Sequence, residues 1–286
     1  MSGPDSTLPP EQPAPILSAP SGPTPRELKL LKFPEDIRTL WGWKEILIFV
    51  LASIGLYFGV ALVVVIIFIA AGQSVETIQN SARVKALFGV IATLIVSVAQ
   101  LGFLYLFMNR PPGESFWHAI GWRSLPTGDR RRRFGPALYM ACGCVFAILI
   151  SVASKAAGQP HGMPIEIFWH DRLSASLFLI LGVTIAPFVE ETIFRGFIYP
   201  VAARSFGIAG SIVFTGIIFG LLHGPQLWGA WAQIALLIVV GIVFTFVRAK
   251  TGTVFASYLF HLGYNGWLFA AFLGATHFLK NLPGPQ

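Results

Sequence analysis

The stretch Val189-Glu190-Glu191-Thr192-Ile193-Phe194-Arg195-Gly196-Phe197 sets three ionisable side chains inside an apolar run that extends from Leu177 to Ala203. A run of that length reads as a membrane-spanning helix. A charge in hydrocarbon costs roughly 2.5–3.5 kcal/mol on insertion scales, so three of them in so short a stretch need a reason. Glu191 and Arg195 stand at i and i+4, share a helix face and can pair. Glu190 points about 100° away from that face and has no local counter-charge. A carboxylate without such a partner is suited to taking up a proton as a general base. The competing reading is a structural ion pair with Glu190 as a bystander, and this stretch alone favours neither.

The rest of the chain agrees with a membrane setting. It is 55% hydrophobic and only 12% charged, where a soluble domain carries about 25% charged residues. This composition predicts an all-α, polytopic helical membrane protein. Seven apolar runs approach the ~20 residues that a bilayer requires; they lie near 45–71, 86–108, 135–154, 174–200, 208–224, 231–248 and 253–274. Residues 26–44 are basic and amphipathic, suited to lying along the membrane surface. They bring the expected total to seven or eight helices.

The expected organisation follows from these runs. Residues 1–25, rich in Pro, Ser and Gly, read as a disordered tail without a signal-peptide pattern. Residues 26–44 form a juxtamembrane segment, 45–172 the N-terminal transmembrane helices, 173–274 a core that carries the chemistry, and 275–286 a C-terminal tail. With the N-terminus inside, fourteen Lys and Arg residues fall on inner loops and five on outer ones. That bias predicts a cytoplasmic N-terminus, in a cell (inner) membrane. The run Arg130-Arg131-Arg132-Arg133 serves as a topology anchor beside anionic lipid. The basic residues are spread over loops rather than gathered on one face, which argues against nucleic acid as a partner. Cys142 and Cys144, two apart in an apolar run, suggest packing rather than a disulfide or a Cys-based zinc site.

Apart from Glu45 and Arg248 at the ends of two runs, the Asp, Glu, Lys, Arg and His residues within the spans are Glu190, Glu191, Arg195, His223 and His261, with Asn265 as a polar companion. All belong to the fourth, fifth and seventh runs. Scattered polar residues would read as interhelical glue; a set confined to three helices reads as one site. Counting 1.5 Å per residue puts these groups about 12–22 Å from the inner ends of their helices, which lets them meet. Phe219 and His223 are i and i+4, as are His261 and Asn265. Glu with His can deprotonate a water, and His with Asn can hold an oxyanion, a set suited to amide hydrolysis. Glu190, His223 and His261 could instead ligate Zn²⁺, and the residues leave both routes open. No Gly-x-Ser-x-Gly or His-Glu-x-x-His pattern is present.

The three motifs Glu190-Glu191-x-x-x-Arg195, Phe219-x-x-x-His223 and His261-x-x-x-Asn265, in this order on apolar runs, resemble the CPBP family: the CAAX proteases and bacteriocin-processing enzymes of the ABI type. The resemblance covers about Leu173 to Gly274. It implies an intramembrane endopeptidase in which Glu190 and His223 activate water, and His261 and Asn265 hold the oxyanion. Glu191, Arg195 and Phe219 would support the site. On this mechanism no cofactor is required; a metal-dependent version is also argued for the family. The implied partners are the lipid bilayer and a protein or peptide substrate, which in eukaryotic members is a prenylated CAAX protein. Two other functions compete: a catalytically silent scaffold or regulator of the same fold, and a proton-coupled transporter that relays protons through Glu and His. The intact residue set counts against the first. The lack of corresponding motifs in the two halves counts against the second.

Overall fold

A computed structural model describes residues 30–125, 135–158 and 162–282. The expected tail at 1–25, the first residues of the juxtamembrane segment and the tetra-arginine run lie outside them. Among the described residues there is no β-strand. The principal helices are α1 (Trp43–Ala70), α2 (Ala82–Phe107), α3 (Pro136–Ala156), α4 (Arg172–Ile180), α5 (Ala186–Glu190), α6 (Tyr199–Leu222), α7 (Trp231–Thr251) and α8 (Val254–Ala275). Among the described residues, five stretches are long and apolar enough to cross a membrane: α1, α2, α3, the helical stretch Arg172–Leu222, and α7. This is a polytopic helical membrane protein.

Helix α1 shows why. It is apolar on every face and leaves side chains such as Phe58 and Leu62 exposed. In water such a helix would have to be buried; in a bilayer its outer faces meet lipid. It packs on α2 through Val60, Val64 and Ala92.

The expected fourth and fifth spans are not separated by a loop. They belong to the one helical stretch Arg172–Leu222, broken at Gly207, whose φ of 72° lies where glycine is at ease. The chain doubles back there: the rings of Phe194 and Phe219 lie 5.2 Å apart. Two wide π-helical turns, Leu181–Ile185 and Glu191–Ile198, interrupt the first limb. Each is followed by a proline at the second position of the next helix, Pro187 in α5 and Pro200 in α6. A proline has no N–H to give and its ring crowds the carbonyl one turn back, so a local widening relieves both problems.

Glycines set the closest helix contacts. A methyl added to Gly143 would fall on the Phe260 carbonyl, and one added to Gly263 on the Met140 carbonyl, so α3 and α8 meet backbone to backbone. Gly216 and Gly220 of α6 face Ile242 and Ile238 of α7 in the same way. Small residues at such crossings let transmembrane helices approach closely.

Residues 30–42 depart from the expected surface helix. They form a strap across one end of the bundle, with a 3-10 turn at Glu35–Ile37. Arg204 of α6 donates to the carbonyls of Ile37, Thr39 and Trp41 and to the Thr39 hydroxyl. Arg123 pairs with Glu35 at 3.1 Å. Arg248 corrects the sequence reading, which placed it on an inner loop. It is wholly buried near the end of α7, 2.9 Å from Asp36 Oδ2. The partner that makes its burial tolerable comes from the strap, far away in sequence.

Candidate active site

The helix that carries Glu190 and Glu191 changes geometry between them. Glu190 ends α5, and Glu191 begins the wide turn Glu191–Ile198. Glu191 and Arg195 are both fully buried and bonded, with Arg195 Nη1 donating to Glu191 Oε1 at 3.0 Å. The pairing expected from their spacing is therefore present, though on a turn wider than an α-helix. The guanidinium also donates through Nη2 to the Gly241 carbonyl of α7 at 2.9 Å. It lies 4.6 Å from the Phe219 ring centre and 5.3 Å from that of Phe244. Aromatic faces suit a cation that has lost its water.

Glu191 has a second partner. His261 Nδ1 lies 3.0 Å from the same Oε1, and the imidazole is only 3% exposed. An ionised carboxylate can only accept, so Nδ1 carries a proton and Nε2 becomes the working atom of the ring. That Nε2 faces Glu190, 3.9 Å from Oε2. Glu190 is the less buried of the two acids, its side chain 26% exposed. Phe244 packs 4.4 Å from the His261 ring and fixes its other face.

His223 follows the last residue of α6, so it stands at a helix end rather than within a span. Its Nδ1 is 2.8 Å from the Phe219 carbonyl. A carbonyl only accepts, which again assigns the proton to Nδ1 and leaves the Nε2 lone pair free in the neutral ring. Phe219 walls the imidazole at 4.7 Å, as its spacing predicts, and lies 6.2 Å from His261. Phe219 thus joins the two histidines. No His223 nitrogen comes within 4.0 Å of the Glu190 carboxylate, so the two groups are not in direct contact. Asn265 donates through Nδ2 to the Gly182 carbonyl at 2.8 Å, inside the first wide turn. An amide nitrogen has two hydrogens, so one remains for a ligand. Thr192 accepts from Trp122 Nε1 at 3.0 Å and ties the same helix to the 116–125 segment.

The structure therefore brings Glu190, Glu191, Arg195 and His261 together, links Phe219 to both histidines, and anchors Asn265 on the Glu190-bearing helix. Among the described residues, no three His, Cys, Asp or Glu side chains gather where they could hold a metal ion. Nothing in the sequence marks Gly182, Gly241 or Phe244 as part of the site. Two act through backbone carbonyls and the third through an apolar ring, and none of these leaves a motif.

Residues 172–267 match the family model described as Type II CAAX prenyl endopeptidase Rce1-like. The matched segment contains all seven residues singled out by the motifs, and the match supports the CPBP/CAAX protease family. That family implies a membrane protease, acting on a protein or peptide at a lipid bilayer. No curated protein and no solved structure matches the chain.

Proposed function

We propose that this chain, whose residues 172–267 match the Rce1-like family model, is an intramembrane endopeptidase that cleaves peptide bonds with a water activated by Glu190 and His223. The observation that carries the reading is the line Glu191–His261–Glu190. Glu191 accepts a hydrogen bond from His261 Nδ1–H at 3.0 Å, and Nε2 points to Glu190 across 3.9 Å. This geometry supports two carboxylates with different tasks, one buried and orienting, the other accessible and reactive.

A water between Glu190 and His223 Nε2 gives a proton to Glu190 while His223 accepts a hydrogen bond from its other O–H. The hydroxide oxygen bonds to the scissile carbonyl carbon, and the carbonyl π electrons move to its oxygen. His261, protonated at both nitrogens beside ionised Glu191, donates from Nε2 to that oxyanion. Asn265 donates its remaining N–H. Collapse of the intermediate breaks the C–N bond, and Glu190 returns its proton to the leaving nitrogen. A carboxylic acid and an amine result, and Glu190 is restored.

No metal is required on this reading. Residues 173–274 form the catalytic core and 45–172 the N-terminal helices that flank it. The charge bias supports a cytoplasmic N-terminus in a cell membrane. The test is cleavage of a quenched-fluorescent peptide library by purified protein, wild type beside Glu190→Ala, with and without a chelator. Cleavage lost in the variant and unchanged by chelation is the expected result. Cleavage lost on chelation and restored by Zn²⁺ would instead point to Glu190, His223 and His261 as ligands.

A further inference from the structure

Trp41 lies on the strap, before the first membrane helix, yet it bonds to the helix that carries Glu190. Its Nε1–H donates to the Phe197 carbonyl at 2.9 Å, across 156 residues of sequence. The Trp41 and Phe197 rings stack at 5.8 Å with 20° between their planes, and Phe49 of α1 closes on Phe197 at 5.4 Å. Trp41 is 1% exposed and Phe197 2%. The tryptophan does not float: Arg204 grips its carbonyl at 2.6 Å and the Thr39 carbonyl at 2.6 Å, while Arg248 holds Asp36.

Phe197 belongs to the wide turn that starts at Glu191 and runs to Ile198. A wide turn carries one residue more than an α-turn. Everything before it is therefore rotated by roughly 100° relative to a regular helix. The position of Glu190 and Glu191 against His261 on α8 depends on that rotation being kept. Pro200, two residues past the turn, offers no N–H, so backbone bonding alone holds this register poorly. The Trp41 bond gives the Phe197 carbonyl a partner that does not depend on helix geometry.

We propose that Trp41 is a positioning residue for the active site: from the strap, it locks the wide turn Glu191–Ile198 and so aims Glu190 and Glu191 at His261. The strap and the catalytic helix then act as one unit. Where it concerns catalysis, this inference rests on the proposed peptidase activity; where it concerns helix register, it does not.

The test uses the full-length protein in detergent. Trp41→Phe keeps the stacked ring and removes the N–H. Expected is faster amide hydrogen exchange confined to 188–198. With the library peptide that wild type cleaves fastest, kcat should fall on the order of tenfold, the value of one buried hydrogen bond, with KM unchanged. Arg204→Gln, which loosens the strap without touching the ring, should give the same two changes in smaller measure. Trp43→Phe is the control; it loses a 2.8 Å bond to Ser205 at the same end of the bundle and should leave both readouts unchanged. Unchanged exchange in Trp41→Phe overturns the proposal, as does faster exchange with an intact kcat, or an equal effect from Trp43→Phe. If wild type cleaves no peptide, the peptidase reading fails, and the exchange measurement still decides whether Trp41 holds the turn.

Discussion

His261 Nδ1 and Glu191 Oε1 lie 3.0 Å apart in a layer that admits almost no solvent, and Arg195 Nη1 meets the same oxygen at 3.0 Å. One carboxylate oxygen thus serves a cation and an imidazole, while Glu191 Oε2 is buried with no hydrogen-bond partner among the described residues. Glu191→Gln removes the charge and keeps the shape. It leaves buried Arg195 without the carboxylate to which it is bonded, which costs about 3–5 kcal/mol. It also removes the carboxylate that accepts from His261 Nδ1. The expected outcome is a clear fall in melting temperature in detergent together with loss of cleavage. A variant as stable as wild type would show that the pair does not hold the core.

Glu190→Gln should behave differently. Its side chain is a quarter exposed and the His261 ring that it faces is 3.9 Å away, so little stability depends on its charge. Activity should drop by about 10²–10⁴-fold, the usual contribution of a general base, with an unchanged melting temperature. Melting and turnover measured on one preparation separate the two neighbouring acids. If both fall together, Glu190 is structural and the division of labour proposed for the acids is wrong.

The contact between α3 and α8 predicts a remote effect. Gly143 and Gly263 bring the two backbones together, and α8 carries His261 and Asn265. Gly143→Ala has to push the helices apart, because the obstacle is the Phe260 carbonyl rather than a flexible side chain. Overpacking of this kind costs about 1–3 kcal/mol. It should also weaken cleavage, because Phe260 precedes His261. Gly266→Ala, on the same helix with open space around it, is the comparison and should be close to silent. Thermal unfolding of the two variants side by side checks the argument.

Much of this arrangement was legible in the sequence because membrane helices make ionisable residues conspicuous. The i and i+4 spacings of Glu191–Arg195 and Phe219–His223 survive in the structure as a bond and a ring contact. Contacts between distant segments were not legible. The His261–Glu191 bond joins residues 70 apart, and Arg248 finds Asp36 across 212 residues. No local pattern marks either. The wide turns escaped for another reason: Pro187 and Pro200 signal a disturbed helix, but whether it kinks or widens depends on what packs around it.

The start of α4 gives the last prediction, one of pH. Asp171 caps the helix that leads to Glu190, accepting from the N–H groups of Leu173 and Ser174 at 3.0 and 3.1 Å and from the Ser174 hydroxyl at 2.6 Å. Burial pushes its carboxyl pKa up. The Ser174 and Leu173 hydrogen bonds, with the nearby Arg83 charge, outweigh that and hold it below the ordinary 3.8. A folded value below the unfolded one means that the carboxylate stabilises the fold fully above the unfolded pKa, and that this contribution fades as pH falls through the lower folded value. Asp171→Asn keeps a good cap without the titration, so at neutral pH it should cost about 1 kcal/mol or less. Between roughly pH 5 and pH 3 the wild-type melting temperature should fall toward that of the variant, closing the gap seen at pH 7. A constant difference across that range would mean that the ionised carboxylate contributes nothing to the helix start.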